Sequence, residues 1–309
     1  FFIIVYVSFI LVLRTEEMVE ITVSSLYIST MFEIKIIETG YIMADGGAMF
    51  GAIPKRAWKR KYKSDEDNLC ALSMRCLLAI SGDNKILVDT GMGNKHIEKL
   101  SYYQPHSLVN IEDYLHTVGY TANDITDVVL THLHFDHCGY ATRYNSDRNI
   151  VPSFPNAKYW LSKPQWDSYL NPNRLESESI FSDNIQPIRD AGLLYLLEED
   201  TEICPNFSVR LFDGHSNGQL VAYINTDDGI YTFPGDLIPT SSHVSLEWIS
   251  AYDISAIRSI SEKERFLIEA EREDYTLIYC HDSTYPMSKV KRLNDDFKAD
   301  IKQESRAFK

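Results

Sequence analysis

The seven residues 131–137, Thr-His-Leu-His-Phe-Asp-His, constrain this chain more than any other part of its sequence. They place three histidines and an aspartate within six positions, directly after the apolar run 128–130. Three imidazoles and a carboxylate are unfavourable in an apolar core, and such a cluster is not typical of a solvated loop. A strand that ends in a pocket, however, can present imidazole and carboxylate groups as metal ligands. The sequence therefore predicts a metal site at a strand end.

The overall composition narrows the class of protein. With 309 residues, 44% of them hydrophobic and 24% charged, the chain can bury the core of one large α/β domain or of two smaller ones. The formal net charge of −14 argues against a nucleic-acid surface, which needs clustered Lys and Arg. The five cysteines are odd in number and have no CxxC spacing, which favours reduced thiols and a cytoplasmic protein.

The first 30 residues are expected to lie outside the core, as a leader or upstream segment. Residues 1–13 are almost entirely apolar but too short for a stable membrane span. They lack the basic segment and the small-residue cleavage site of a signal peptide. Because Met31 opens a strand-like segment, we expect the core domain to comprise residues 31–309, with 139–205 as an insertion or lid.

Strand and helix patterns alternate along the rest of the chain and predict an α/β layering. Capping patterns predict helices after Asn110 and from the box Ser261–Glu264, and the charged end after Ser288 is expected to form a helix or tail. The predicted strands are 74–80, 85–89, 128–130, 207–212, 219–224, 230–233 and 275–280.

Three further candidate ligands, His215, Asp236 and His281, each follow directly after a predicted strand. A lone histidine at a strand end is more often a hydrogen-bonded structural residue. Four such sites along one chain are hard to attribute to chance. In extended chain, His132, His134 and Asp136 can converge on one side, because alternate residues point the same way. His137 can join them only if the chain bends there, which Gly139 would allow.

Together these residues resemble the metallo-β-lactamase superfamily, whose HxHxDH motif is matched at 132–137 and whose later His, Asp and His are matched at 215, 236 and 281. The resemblance implies a four-layer αβ/βα sandwich, with two mixed sheets packed together and helices outside. It also implies two divalent metal ions, for which zinc is favoured and iron, manganese or cobalt would be accommodated. The implied ligands are His132, His134 and His215 for one ion, and Asp136, His137 and His281 for the other, with Asp236 bridging.

The resemblance further implies a hydrolase in which a hydroxide shared by the two metals attacks a small ester, lactone or phosphotriester, with Asp136 and Asp236 as catalytic residues. Asp89 is expected to orient a ligand imidazole. The segment 45–55 and the spacing of the later ligands resemble lactonase-like and organophosphate-hydrolase-like members. Those lactonases carry a tyrosine where this chain has Pro239, so that Tyr102, Tyr103 or Tyr252 would have to supply a phenol.

Two other functions remain open at this point. A glyoxalase-II-like thioesterase shares the ligands but needs basic residues near the C-terminus that bind glutathione. Weak candidates for these residues are Lys289, Lys291 and Arg292. A catalytically silent sensor could keep the site for ligand recognition. We expect a small-molecule substrate, and a homodimer is left open. Six aromatic residues are candidates for the pocket wall or for ordinary packing: Phe50, Trp58, Phe135, Trp166, Trp248 and Tyr252.

Overall fold

The computed structural model describes residues 31–301, so the expectation for residues 1–30 lies outside the described residues. In chain order the strands are β1 (Glu33–Asp45), β2 (Leu69–Ser81), β3 (Asn84–Val88), β4 (Asp127–Val129), β5 (Thr142–Tyr144), β6 (Ile150–Pro152), β7 (Lys158–Ser162), β8 (Leu194–Leu197), β9 (Thr201–Cys204), β10 (Phe207–Phe212), β11 (Gln219–Thr226), β12 (Gly229–Phe233), β13 (Thr276–Ile278), β14 (Met287–Leu293) and β15 (Asp296–Asp300). The α-helices are α1 (Gly46–Phe50), α2 (Lys55–Trp58), α3 (Ile111–Thr117), α4 (Phe135–Cys138), α5 (Lys163–Leu170), α6 (Gln186–Asp190) and α7 (Ala256–Arg272).

Two mixed sheets form the centre of the molecule. The first has the strand order β1-β2-β3-β4-β7-β8 and the second has the order β15-β14-β13-β12-β11-β10-β9. In the first sheet β3, β4, β7 and β8 run parallel to one another, and in the second only β12 and β13 do. Strands β5 and β6 make a separate hairpin. The expected pair of mixed sheets is confirmed.

The alternation of side chains along the strands divides the core into layers. Leu77 and Ile86 of the first sheet pack against Val209 and Leu220 of the second, between the two sheets. The alternate residues of the same strands face outward and pack against α3, α5 and α6, while the outer face of the second sheet packs against α7. The resulting order is helix, sheet, sheet, helix, which is the expected four-layer αβ/βα sandwich.

Three parts of the chain differ from the sequence-based expectations. The range 139–205 contributes β7 and β8 to the first sheet, although its residues between α5 and α6 are irregular. Helix α7 begins at Ala256, five positions before the expected capping box, so Ser261 lies inside the helix. Up to residue 301, where the described residues end, the charged region after Ser288 forms a hairpin instead of the expected helix or tail, because β14 and β15 pair through a turn in which Asn294 has a φ of 56°.

Within residues 31–301, no helix combines the length and the apolar character needed to cross a membrane.

Candidate metal centre

The histidine-rich motif follows β4 and runs into α4, at the edge of the first sheet. The chain is still extended at His134 (φ −66°, ψ 145°), and a single helical turn starts at Phe135. Asp136 and His137 both belong to this turn. The bend thus comes before Asp136, and the helical turn, rather than strand alternation, directs the Asp136 carboxylate toward the histidines.

Gly139 is required for close packing and not for the bend. Its backbone is right-handed helical (φ −61°), a conformation open to any residue. A Cβ atom at this position would lie 2.2 Å from the carbonyl oxygen of Met92. The Tyr140 amide also donates to the carbonyl of Gly91 over 3.0 Å. The glycine therefore lets the motif helix pack directly on the turn that follows β3.

Three imidazoles form the first cluster of candidate ligands. His132 and His134 come from the motif, and His215 comes from the loop between β10 and β11 in the second sheet. The Nδ1 atom of His134 lies 3.0 Å from Nε2 of His132 and 3.2 Å from Nε2 of His215. All three residues are buried, and their inward nitrogens are close enough to bind one ion together.

The second cluster joins His137 to His281, which follows β13, with their Nε2 atoms 3.1 Å apart. Asp236, in the turn after β12, places Oδ1 at 3.2 Å from His137 Nε2 and 3.1 Å from His281 Nε2. Its Oδ2 lies 3.3 Å from His215 Nε2 in the first cluster. Asp136 Oδ2 is 3.5 Å from His281 Nε2. The two oxygens of Asp236 thus face different clusters, as a bridging carboxylate requires.

The outward nitrogens of these histidines meet acceptors. His137 Nδ1 lies 2.7 Å from Asp89 Oδ2, and His281 Nδ1 lies 2.7 Å from the carbonyl oxygen of Ser73. His132 Nδ1 lies 3.0 Å from the Thr131 hydroxyl, which itself donates to Asp89. Asp89 has a φ of 57°, a left-handed conformation that is uncommon outside glycine, and it thereby reaches two parts of the cluster.

This hydrogen bonding decides whether a metal ion suits the site. A neutral imidazole has one N–H and one lone pair. When the outward nitrogens donate to Asp89, Ser73 or Thr131, the inward nitrogens present lone pairs. For His137 and His281, whose outward nitrogens both meet acceptors, two such lone pairs face each other at 3.1 Å and cannot form a hydrogen bond, whereas a cation between them satisfies both. The residues therefore fit divalent metal ions.

The pKa values follow from the same arrangement. Burial, together with the facing imidazoles of His137, His134 and His215, holds the pKa of His132 well below its usual value. Burial alone would raise the pKa of Asp236, but the imidazoles of His281, His137 and His215 lower it well below its usual value. His132 is therefore neutral and Asp236 is ionised, which are the forms that bind metals. Burial lowers the pKa of His137, His215 and His281, but Asp236 raises it above the usual value, so a metal ion that binds these imidazoles displaces protons.

Three residues of the centre were not found from the sequence. Asp253 lies 2.9 Å from Nδ1 of His215, Glu176 lies 3.4 Å from Nε2 of His134, and Cys280 Sγ donates to Asp236 Oδ1 over 3.2 Å. Asp253 and Glu176 belong to irregular segments, where no periodic pattern marks a residue that points inward. Cys280 ends a predicted strand and immediately precedes the candidate ligand His281. This position was the one sequence signal that could have placed it in the centre.

A pocket opens above the two clusters and encloses about 540 Å³, including its mouth. Its floor is polar and contains the candidate ligands His134, Asp136, His215, Asp236 and His281. Its walls are mostly apolar and contain Ile42, Ala44, Met49, Leu72, Tyr103, Phe135, Leu175, Ser179 and Tyr252. None of the described lining residues is a lysine or an arginine. The lining therefore offers apolar contacts and no lysine or arginine side chain to pair with an anionic substituent.

Of the aromatic residues considered from the sequence, Phe135 and Tyr252 line the pocket. Phe50 lies behind the wall, with ring centroids 5.2 Å from Trp58 and 5.6 Å from Trp248, and Trp166 packs in the core outside the first sheet. Of the three candidate phenols, Tyr103 and Tyr252 reach the pocket. Tyr102 is 78% exposed.

Comparisons with known proteins identify the family of this chain. Residues 75–281 match the family model described as the metallo-beta-lactamase superfamily. An N-acyl homoserine lactonase of Bacillus thuringiensis is 25% identical over 174 residues, which are 52% of this chain and 61% of that enzyme. The chain thus matches less than two thirds of the length of this relative.

Solved structures extend the likeness to most of the fold. A probable metal-dependent hydrolase from Staphylococcus aureus is 28% identical, with a TM-score of 0.79 over 84% of this chain and 92% of that one. AidC, described as a dizinc quorum-quenching lactonase, is 21% identical, with a TM-score of 0.71 over 88% of this chain and 95% of that one. At that identity the second likeness shows the fold alone.

Proposed function

Because the chain belongs to the metallo-β-lactamase superfamily, we propose that it is a dinuclear metal-dependent hydrolase of a small, uncharged ester, lactone or phosphotriester. The observation that carries the proposal is the position of the two ligand clusters, which lie at the floor of a pocket with apolar walls. The lactonase activity of the Bacillus thuringiensis relative supports the same reaction class.

The proposed ligands of the first ion are His132, His134 and His215. Those of the second ion are Asp136, His137 and His281, with Asp236 shared. Divalent ions at such a site lower the pKa of bound water and stabilise the negative charge that develops on a carbonyl or phosphoryl oxygen. Imidazole and carboxylate ligands favour zinc, and iron, manganese or cobalt would also be accommodated.

The chain's own groups then position the substrate and manage protons. Ile42, Met49 and Leu72 bind an apolar substituent and exclude water from the floor of the pocket. Asp136 lies at the floor of the pocket. In this proposal its carboxylate accepts a proton from the attacking water. Tyr252 supplies a phenolic O–H to the departing oxygen, which Pro239 cannot do.

The charge of the pocket weighs against the thioesterase alternative. A glutathione thioester carries two carboxylates, but no basic residue is among the described residues that line the pocket. Lys289, Lys291 and Arg292 lie on β14 of the second sheet and are not part of this lining. Lys289 instead pairs with Asp274.

A substrate panel on protein of measured metal content tests the proposal. The panel contains an N-acyl homoserine lactone, a neutral aryl ester, a neutral phosphotriester and a glutathione thioester. We expect two metal ions per chain and hydrolysis of at least one neutral substrate, with turnover that chelation abolishes. Preference for the thioester would favour the glyoxalase-II-like alternative. Metal-loaded protein that is inactive on the whole panel would favour the sensor.

A further inference from the structure

One irregular segment, residues 171–181, which we call the flap, forms part of the pocket mouth. Leu175 and Ser179 line the pocket, although Leu175 is 65% exposed. The Asn173 side chain accepts hydrogen bonds from the amides of Leu175 and Glu176 over 2.8 and 3.0 Å, which shapes the turn. The Ser179 carbonyl accepts from the Phe135 amide over 2.9 Å and holds the far end of the turn.

Glu176 is the buried residue of this otherwise exposed turn. Its neighbours Leu175 and Ser177 are exposed, whereas Glu176 is 1% exposed. Its carboxylate accepts hydrogen bonds from the Ser216 hydroxyl and from the Asn173 amide. An ionised carboxylate is costly to bury unless such partners compensate for the lost water. Glu176 therefore fastens the flap to the loop that carries His215.

The remaining contact of Glu176 is with a proposed metal ligand. Glu176 Oε1 lies 3.4 Å from Nε2 of His134, and this nitrogen has no hydrogen bond of good geometry with any residue in the described part of the chain. Nδ1 of the same ring points at His132 and His215. A cation on Nδ1 fixes the proton on Nε2 and makes that N–H a stronger donor toward Glu176.

We propose that Glu176 is a positioning residue that couples metal binding by His134 to the seating of the flap over the pocket. The inference rests on the proposed function, because it takes the first cluster to hold a metal ion. Linkage makes the coupling reciprocal: if the seated flap raises metal affinity, metal binding stabilises the seated flap by the same factor. The pocket wall that contains Leu175 and Ser179 then becomes fully ordered only in the metal-loaded protein.

The first arm of the test measures zinc affinity by competition with a chelator. Glu176→Gln keeps the size of the side chain but removes its charge, and we expect it to weaken zinc binding about 10- to 100-fold, as the loss of a partner of a ligand histidine does. Glu178→Gln is the matched control, because Glu178 is an exposed glutamate of the same flap. We expect its zinc affinity to equal that of the wild type.

The second arm measures the flap itself. Arg174 is an exposed residue of the flap and a trypsin site, so the rate of cleavage after it reports flap opening. We expect zinc to slow this cleavage at least about 10-fold in the wild type and in Glu178→Gln, and to have little effect in Glu176→Gln. A purely structural role for Glu176 would change cleavage equally with and without zinc.

Each outcome has a distinct meaning. If the wild type binds no divalent metal, both the proposed function and this inference fail. If the wild type binds zinc but Glu176→Gln matches Glu178→Gln in affinity and in zinc-dependent protection, only the inference fails. Should Glu176→Gln not fold, Asn173→Ala removes one donor to the same carboxylate. We then expect Asn173→Ala to bind zinc more weakly and to gain less protection from trypsin on adding zinc. Unchanged zinc affinity and unchanged protection in Asn173→Ala would overturn the coupling.

Discussion

At the scale of single residues, Asp236 is the proposed ligand that contacts both clusters of the centre. Its two carboxylate oxygens lie 3.1 Å from His281 Nε2 and 3.3 Å from His215 Nε2, so that each faces a different cluster. Asp236→Asn keeps the shape but replaces one oxygen with an amide nitrogen, which does not bind a cation. We expect the bound metal to fall from two ions per chain toward one, measured by elemental analysis.

Activity of Asp236→Asn should fall by more than about 100-fold, because the loss of a ligand should exceed the loss of a ligand's hydrogen-bond partner. Asp228→Asn is the control, since Asp228 is exposed in the turn that precedes β12. If Asp236→Asn retained two ions and full turnover, its bridging role would be refuted.

Tyr252 carries the second prediction at this scale. Although 38% of the Tyr252 surface is exposed, partial burial of its ring in the pocket wall, reinforced by the nearby Tyr103 and Asp136, raises the pKa of its phenol, which stays protonated and can donate. We expect Tyr252→Phe to lower kcat about 100-fold on an alkyl ester, whose leaving group needs a proton, and much less on a nitrophenyl ester. Tyr102→Phe, on an exposed ring outside the pocket, should behave as the wild type. Equal losses on both esters would contradict the assignment.

At the scale of elements, helix α7 fastens the loop that carries Tyr252 and Asp253. Lys263 on this helix is fully buried, and its ammonium donates to the carbonyls of Ser245 and Trp248 over 2.8 Å each. Burial lowers its pKa to about 7, against the opposing influence of Asp253 and Asp296. The buried side chain of Lys263 thus supplies hydrogen bonds to two backbone carbonyl groups of this loop.

The pH dependence of stability follows from this lysine. Between about pH 7 and the ordinary lysine pKa of 10.5, the unfolded chain holds a proton that the folded chain lacks. Stability conferred at Lys263 therefore rises with pH over that window, by up to about 1.4 kcal/mol per pH unit. Denaturant unfolding at several pH values should show that the free energy of unfolding rises more steeply with pH in the wild type and in the exposed control Lys298→Met than in Lys263→Met, by up to that amount per pH unit. Equal slopes in the three proteins would disprove the pKa assignment.

The sequence predicted the elements that end at the centre better than those remote from it. The strands before His132, His215 and Asp236 are marked by short apolar runs, and each ends where a polar ligand type begins. The β14–β15 hairpin was missed because its strands are rich in charge and lie at the sheet edge, where burial leaves little periodic pattern.

The start of α7 and the partners of the ligand histidines were missed for another reason, which is long-range packing. Glu262, inside the expected capping box, accepts hydrogen bonds from the amides of Asp213 and Gly214 instead. Glu176 and Asp253 likewise meet the histidines only after the chain has folded, because their own segments contain no regular element. Such contacts depend on tertiary structure and leave no local signal.

At the scale of the whole molecule, the two clusters join the two sheets. The four motif residues 132, 134, 136 and 137 follow β4 of the first sheet. His215, Asp236 and His281 follow β10, β12 and β13 of the second. Each proposed ion therefore takes ligands from both sheets, at one edge of the sandwich. Without a cation, the same edge concentrates five imidazoles whose inward nitrogens lie only 3.0–3.2 Å apart.

Metal removal should accordingly destabilise the entire fold and not only stop turnover. An ion that binds the folded chain alone, at 100 times its dissociation constant, adds about 2.7 kcal/mol of stability. At about 2–4 °C per kcal/mol, this amounts to a rise in Tm of about 5–10 °C on adding zinc to chelated protein. Calorimetry should show this rise in the wild type and in Asp228→Asn, but a smaller one in Asp236→Asn, whose bridge between the clusters is lost. A Tm that is indifferent to both chelator and zinc would mean that the edge of the sandwich is held together without metal.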